Sequence, residues 1–328
     1  MMRSLYLSRD GVTLRELSIE QIEAALRDDG GTLWVDCENE PPEDCQLLLE
    51  KVFGFHPLAV DDALRESHVP KIDDWYRYLY IVLHAVAFDR VGGEHLDTLE
   101  LDLFLGPGYL VTHHDEPISA VEHVWAALER DPQRLRSGVL YLTYRLVDDL
   151  VASYMPAVEA IEDVIEALED EMFSNPEPHM LERIFVLKRS LLRLRRVLAP
   201  QREVLNHMAR DDYAVIDSNS RVFFRDIYDH LVRLYDIGEN LRDLVNGAIE
   251  IYLSAVNNRM NETMKTLTII TTLFMPISFL TGFFGMNFFQ PVLDLDVWTG
   301  RVAFGLALAA IAFTPVGMYL WMRRRAWM

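Results

Sequence analysis

Eight positions, spaced alternately three and four residues apart, form a row of unusual chemistry: Asn261, Met264, Thr268, Thr271, Met275, Ser278, Gly282 and Gly285. Most of the row falls within Thr266 to Leu293, a stretch without an ionisable side chain. None of the eight is Leu, Ile, Val or Phe, whereas Ile269, Ile270, Leu273, Phe274 and Ile277 all lie off the row. Followed backwards, the same 3.5-residue repeat passes through Asn257, Ser254, Glu250, Gly247 and Asp243 and reaches Asp229 and Asp226. Amides and hydroxyls inside hydrocarbon need a partner or water. Two readings follow. The small residues let helices pack closely, or the row lines a water-filled passage. A chain with two spans cannot enclose such a passage alone, so the second reading requires several copies around an axis.

The elements that position this row are legible from hydropathy. A span needs about 20 apolar residues, and Thr266–Leu293 exceeds that. A second uncharged run extends from Val302 to Met322 and is followed by Arg323, Arg324 and Arg325. Arg259 and Lys265 precede the first span, while the connecting segment holds Asp294, Asp296 and only Arg301. Positive charge on the inner side places both termini in the cytoplasm, in a multi-pass protein of the inner (plasma) membrane. Trp321 and Trp327 at the inner end, and Phe288, Phe289 and Trp298 at the outer end, suit interfacial belts.

The 328 residues carry a formal net charge of −20, which disfavours nucleic acid and favours cations as partners. The polar N-terminus has no apolar run and predicts no cleaved signal peptide. Four regions are expected: an α/β domain over 1–135, a helical hairpin over 136–220, a stalk helix over 221–265 and a membrane domain over 266–328. In the first, residues 4–7, 13–17, 32–37, 78–88, 99–104 and 109–113 read as strands, and 20–27 and 43–53 as helices. One acidic helix over 139–173 is followed, after Asn175-Pro176-Glu177-Pro178, by a basic helix over 182–210. The last helix starts near Arg221 with no break before the membrane, which makes it roughly 95 Å long at 1.5 Å per residue. The fold class is α+β: an N-terminal cytosolic α/β domain, a long helical stalk and two C-terminal transmembrane helices.

Cys37 and Cys45 have neither metal-site nor redox spacing and read as reduced core residues. His113-His114-Asp115 lacks a third ligand at suitable spacing and reads as a turn after a strand. No phosphate loop, nucleophile elbow or dinucleotide fingerprint is present, so no enzyme is indicated and no organic cofactor is expected.

The segment from Asn261, NETMKTLTIITTLFMPISFLTGFFGMNF, closely resembles the first membrane helix of the CorA family of magnesium transport proteins. The triplet Gly285-Met286-Asn287, at the outer end of the first of two C-terminal spans, is that family's signature. His56-Pro57-Leu58, Pro70-Lys71, Phe224-Arg225-Asp226, Tyr228-Asp229-His230 and the basic tail are also similar. The resemblance implies a funnel-shaped homopentamer whose first span lines a pore for Mg²⁺, with Co²⁺ or Ni²⁺ as possible passengers. It implies that Asn287 forms the selectivity ring, held by Gly285 and Met286. Mg²⁺ dehydrates reluctantly, and neutral amides hold a hydrated ion without stripping it or trapping it. It further implies apolar constrictions at Met264, Leu267 and Met275, an Asn261 ring at the cytosolic mouth with Glu250 below it, and Thr268, Thr271 and Ser278 between. For Leu267, off the polar row, ordinary span packing competes with that role. A regulatory Mg²⁺ site between subunits is implied at Asp62 and Asp226, with Asp61 and Asp229 nearby. The segment after the triplet departs from the family's usual Met-Pro-Glu, and Asp294 or Asp296 could supply the outer acid instead. Two alternatives remain: a zinc transporter of the same architecture, and a membrane-anchored signalling domain. The row holds no His or Cys, the softer ligands zinc favours, and the Phe-rich flanks of the triplet look like the magnesium branch.

Overall fold

Alternating side chains of seven strands build one mixed sheet, with a separate apolar cluster on each face. In the computed structural model, residues 2–28, 30–65, 69–89, 94–174, 176–286 and 300–325 are described. The strands are β1 (Met2–Leu7), β2 (Thr13–Arg15), β3 (Thr32–Glu38), β4 (Lys71–Asp74), β5 (Leu79–Asp89), β6 (His95–Gly106) and β7 (Tyr109–His114). Their order is β2-β1-β3-β7-β6-β5-β4. Among the described residues, only β3 and β7 pair in parallel, and the other ladders are antiparallel. The tight β6–β7 turn needs Gly108, whose φ is +81°.

Helices cover both faces. Leu33, Val35, Tyr80, Val82 and Val111 pack against α1 (Ile19–Leu26), α2 (Pro42–Leu47) and α3 (Pro57–Arg65). Trp34, Leu79, Ile81 and Leu83 pack instead with residues of α4 (Ser119–Arg130) and of four longer helices. These are α5 (Val139–Ala152), α6 (Tyr154–Ser174), α7 (Pro178–Arg210) and α8 (Arg221–Gly285). A further helix, α9, spans Arg301–Arg324. Ser18 and Gln21 close a capping box on α1. α2 continues directly into a π-helical turn at Leu48–Val52, where one helix over 43–53 was expected.

The helix expected over 139–173 is two helices. Pro156 has no N–H to offer the Ala152 carbonyl and its ring would clash there. The chain therefore breaks at Ser153, whose hydroxyl donates to the Leu150 carbonyl at 2.6 Å.

The long helices pack by an apolar repeat. On α7, Met180, Ile184, Leu187, Leu191, Leu194, Leu198, Leu205 and Met208 are buried at alternating three- and four-residue steps, with Gln201 completing the row. On α8 the matching row is Ile227, Leu231, Leu234, Gly238, Leu241, Val245, Ala248 and Tyr252. The two run antiparallel: Lys188 donates to Asn246 at 3.3 Å, Arg195 pairs with Glu239 at 3.3 Å, and Arg202 lies 5.0 Å from the Tyr235 ring. The cations of α7 thus reach α8 as well as Glu171 of α6, which Arg183 contacts at 3.2 Å.

The chain divides into two compact units, Met1–Tyr252 and Leu253–Met328. The second holds the end of α8 and all of α9. Both helices are long and apolar enough to cross a membrane.

Candidate functional site

On α8 the polar row occupies the face away from the buried apolar row. Asp226, Asp229, Asp243 and Glu250 are exposed while Ile227, Leu231, Val245 and Ala248 are buried. Further along the same helix, Asn261, Met264, Leu267, Thr268, Thr271, Met275 and Ser278 are all exposed. Gly285 is the last residue of α8, and Met286 N–H donates to the Phe283 carbonyl at 3.4 Å. Asn287, Asp294 and Asp296 lie outside the described residues.

The hydroxyls on this helix have a definite polarity. Thr268 Oγ1 donates to the Met264 carbonyl at 2.7 Å, and Thr271 Oγ1 to the Leu267 carbonyl at 2.8 Å. Thr263, Thr266 and Thr281 donate in the same way to the carbonyls four residues back. Back-bonding consumes each proton within the helix. What Thr268 and Thr271 present outward is an oxygen acceptor, not a donor. Pro276 lies within the same helix and leaves the Thr272 carbonyl without its usual i+4 partner.

The acids named for regulation fall in two places. Asp61 and Asp62 lie on α3, which begins after His56; there His56 Nδ1 accepts from Leu58 N–H at 3.2 Å. Lys71 Nζ sits 2.5 Å from Asp62 and 3.2 Å from Asp73, and Arg65 pairs with Asp61 at 3.1 Å. Burial pulls the Lys71 ammonium down, but its bonds to Asp62 and Asp73 leave it above its ordinary range. Asp226 and Asp229 lie on α8. Since α3 covers one face of the sheet and α8 packs with the cluster on the other, one chain does not bring Asp62 to Asp226. Among the described residues, no group of three His, Cys, Asp or Glu side chains is placed to hold a metal ion within one chain.

The structure adds an acid that the sequence did not single out. Asp148 on α5 lies near Asp226 and His230, and its carboxyl is raised above the usual range by burial, with Asp226 and Asp149 adding to the rise. The α5–α8 contact that joins them is marked by Tyr144 stacking on Phe223 at 5.0 Å. The pair of acids Asp148-Asp149 was visible as a spacing, but the approach of α5 to α8 was not.

The histidines end β7 rather than forming a turn. His114 Nε2 lies 3.3 Å from Asp36, whose other neighbours are Arg3 at 2.9 Å and the Thr112 hydroxyl. His113 Nδ1 lies 3.4 Å from Asp102, which also accepts from the Tyr80 hydroxyl at 2.7 Å.

Comparison with known proteins agrees with this architecture over nearly the whole chain. Residues 29–324 match the family model described as CorA-like Mg²⁺ transporter protein. The chain is 32% identical over 323 residues to the cobalt/magnesium transport protein CorA of Thermotoga maritima, covering 96% of this chain and 89% of that one. It is 33% identical to the putative metal ion transporter YfjQ of Bacillus subtilis, covering 96% of this chain and 94% of the relative. The fold matches the complete structure of the CorA magnesium transporter from Methanocaldococcus jannaschii with a TM-score of 0.84, at 23% identity, over 100% of this chain and 99% of that one. Over the matched length this chain has a sheet domain, a helix of 65 residues and two candidate spans. This chain belongs to the family of CorA-like Mg²⁺ transporters.

Proposed function

We propose that the protein is a channel that carries hydrated divalent cations, Mg²⁺ foremost and Co²⁺ or Ni²⁺ as passengers, into the cytoplasm. The carrying observation is the row of back-bonded threonines on α8, Thr268 and Thr271, with oxygen acceptors turned outward. A hexahydrated Mg²⁺ presents only water hydrogens at its rim, and it keeps those waters. Acceptors without competing protons suit that rim. Five copies of α8 around one axis place Asn261, Met264, Leu267, Thr268, Thr271, Met275 and Ser278 along the passage. Asn287 forms the outer amide ring, with Gly285 and Met286 shaping its segment. Met264, Leu267 and Met275 narrow and dewet the neck. Asn261 and Glu250 rim the cytosolic mouth, and both termini lie in the cytoplasm. The four regions 1–135, 136–220, 221–265 and 266–328 serve as body, hairpin, stalk and membrane domain.

Cytosolic Mg²⁺ closes this channel. Because α3 and α8 cover opposite faces of the sheet, Asp62 meets Asp226 only between chains, with Asp61 and Asp229 alongside. Carboxylates on two subunits repel when empty and are bridged when a divalent ion binds, which biases the assembly toward its closed, symmetric state. Zinc transport is the second reading. It is disfavoured because the row contains neither His nor Cys.

The test is Mg²⁺ uptake into liposomes holding the purified full-length protein. Asn287→Ala is expected to slow uptake roughly tenfold, the loss of on the order of 1.4 kcal/mol of stabilisation. Lumenal Mg²⁺ on the cytosolic side is expected to suppress wild-type uptake, and Asp62→Asn with Asp226→Asn to relieve that suppression. Uptake indifferent to Asn287→Ala rejects the ring. Uptake indifferent to lumenal Mg²⁺ rejects the sensor and leaves the passage standing.

A further inference from the structure

The two cysteines, eight positions apart and in no recognised redox spacing, are brought together by the fold. Cys37 is on β3 and Cys45 on α2, and they are 1% and 2% exposed in the same apolar cluster. Each thiol is the largest influence on the other's proton affinity, which sets the two close together in that cluster. Both are free thiols. In the parallel β3–β7 ladder Cys37 is the register partner of His113, so their side chains leave the same face of the sheet. His113 is anchored by Asp102 at 3.4 Å, and Asp102 by the Tyr80 hydroxyl at 2.7 Å. A cavity of about 360 Å³ opens on His113 and Asp102, and Glu100, Thr98 and Ala63 also line it. That volume admits several molecules the size of water, each about 30 Å³.

We propose that Cys37 and Cys45 are a reversible dithiol–disulfide pair, oxidised by hydrogen peroxide, with His113 accepting the proton of Cys45. This site is separate from the cation passage and does not depend on it. The polarity of the pair agrees with the geometry. The influence of Cys37 and then the charge of His113 hold the Cys45 thiol below its ordinary range against burial. The influence of Cys45, then burial, pushes the Cys37 thiol up. Burial pulls the His113 imidazole down, but its bond to Asp102 and the charges of Asp102 and Cys45 leave it raised, ready to hold a proton.

The step balances. Cys45 gives its proton to His113 and its thiolate attacks one peroxide oxygen. The O–O bond breaks, and the hydroxide released takes the proton from His113 to leave as water. The Cys45 sulfenic sulfur is then attacked by the Cys37 sulfur, whose proton leaves with the sulfenic hydroxyl as a second water. In total, two thiols and one peroxide become one disulfide and two waters. Two equivalents of a small thiol reverse it by exchange. The new bond ties α2 to β3 beside α3, the helix that carries Asp61 and Asp62.

Because the chain has only two cysteines, the experiment counts without ambiguity. The full-length protein is treated with hydrogen peroxide, quenched, denatured and alkylated with N-ethylmaleimide before intact-mass analysis. Reduced protein is expected to take up both maleimides. Oxidised protein is expected to take up none and to be lighter by about two hydrogen masses, to run as a single chain on a non-reducing gel, and to recover both thiols with dithiothreitol. In Cys37→Ser, dimedone is expected to trap a sulfenic acid on Cys45. In His113→Gln, the oxidation rate is expected to fall about tenfold, one unit's worth of thiolate population, with its pH midpoint moved upward. Two maleimides after peroxide, or a disulfide joining two chains, overturns the pair. No dimedone adduct in Cys37→Ser overturns Cys45 as the attacking sulfur. A wild-type rate and pH profile in His113→Gln overturns the proton acceptor.

Discussion

His84 shows what one buried side chain does to the pH response. It is 6% exposed on β5, and its backbone is well used: its N–H donates to Gln201 Oε1 at 2.9 Å and its carbonyl accepts from the Tyr154 hydroxyl at 2.7 Å. The ring is not so well served. Among the described residues Nδ1 is buried without a hydrogen-bond partner, and Glu100 stands 3.6 Å from Nε2, too far to offset desolvation. Burial pushes the imidazole down to about 4. An unfolded chain takes up a proton here near the ordinary histidine value of about 6.5, so the folded state loses stability as pH falls through the window between those values. His113 and His114 work the other way. Both are raised by carboxylate partners after burial's opposing pull, and their contribution is lost only as pH rises through their folded values. The contribution of His84 is isolated by His84→Leu, which keeps both backbone bonds. Relative to this variant, the wild type is expected to lose on the order of 3 kcal/mol between about pH 6.5 and 4. Denaturant unfolding followed by Trp34 and Trp125 fluorescence reads the difference, and parallel slopes for the two proteins reject the assignment.

At the scale of elements, the seam between α7 and α8 holds the N-terminal unit's longest helices. Leu194 and Leu198 of α7 lie within 4 Å of the place where a Cβ on Gly238 would sit. Leu194→Ala or Leu234→Ala is expected to cost roughly 2–5 kcal/mol by leaving a cavity. Asp229→Ala, on the exposed face of the same helix, is expected to change stability by less than about 0.5 kcal/mol. Equal losses by denaturant unfolding would show that α8 is not held by this seam. The two rows of α8 also mark what could be read from residue order. The polar row was legible because hydrocarbon leaves hydroxyls and glycines few purposes. Its apolar complement, Ile227 to Tyr252, obeys the same 3.5-residue repeat and was equally open to reading. Other features depended on packing partners that residue order does not name. β4 is a short edge strand, Lys71 to Asp74, in which Ile72 is the one apolar residue among three charged ones, so no apolar alternation marks it. α3 starts at Pro57 directly after His56 and reads as loop by punctuation alone. The break at Ser153 is explained by Pro156, whose place three residues into a helix was masked by the apolar run around it. Of the candidate site, Asp62 and Asp226 stood out only through family resemblance, since 51 acids share the chain. The contact between Cys37 and Cys45 needed the fold of α2 back over β3.

For the molecule as a whole, an acidic chain of net charge −20 concentrates cations around itself before any specific site acts. Its sheet domain and its apolar spans belong to different solvents, and α8 alone, Arg221–Gly285, has residues in both compact units. That continuity has a mechanical corollary. On an unbroken helix each added residue turns everything beyond it by about 100°. Threading one extra alanine after Ser254 therefore turns Thr268 and Thr271 by a quarter turn or more about the helix axis, and liposome uptake is expected to vanish. Threading seven brings them back to within about 20° while lengthening the rod, and uptake is expected to return. Equal uptake from both insertions would mean that the bearing of the upper threonines is irrelevant; a difference would show that α8 works as a key cut on one side.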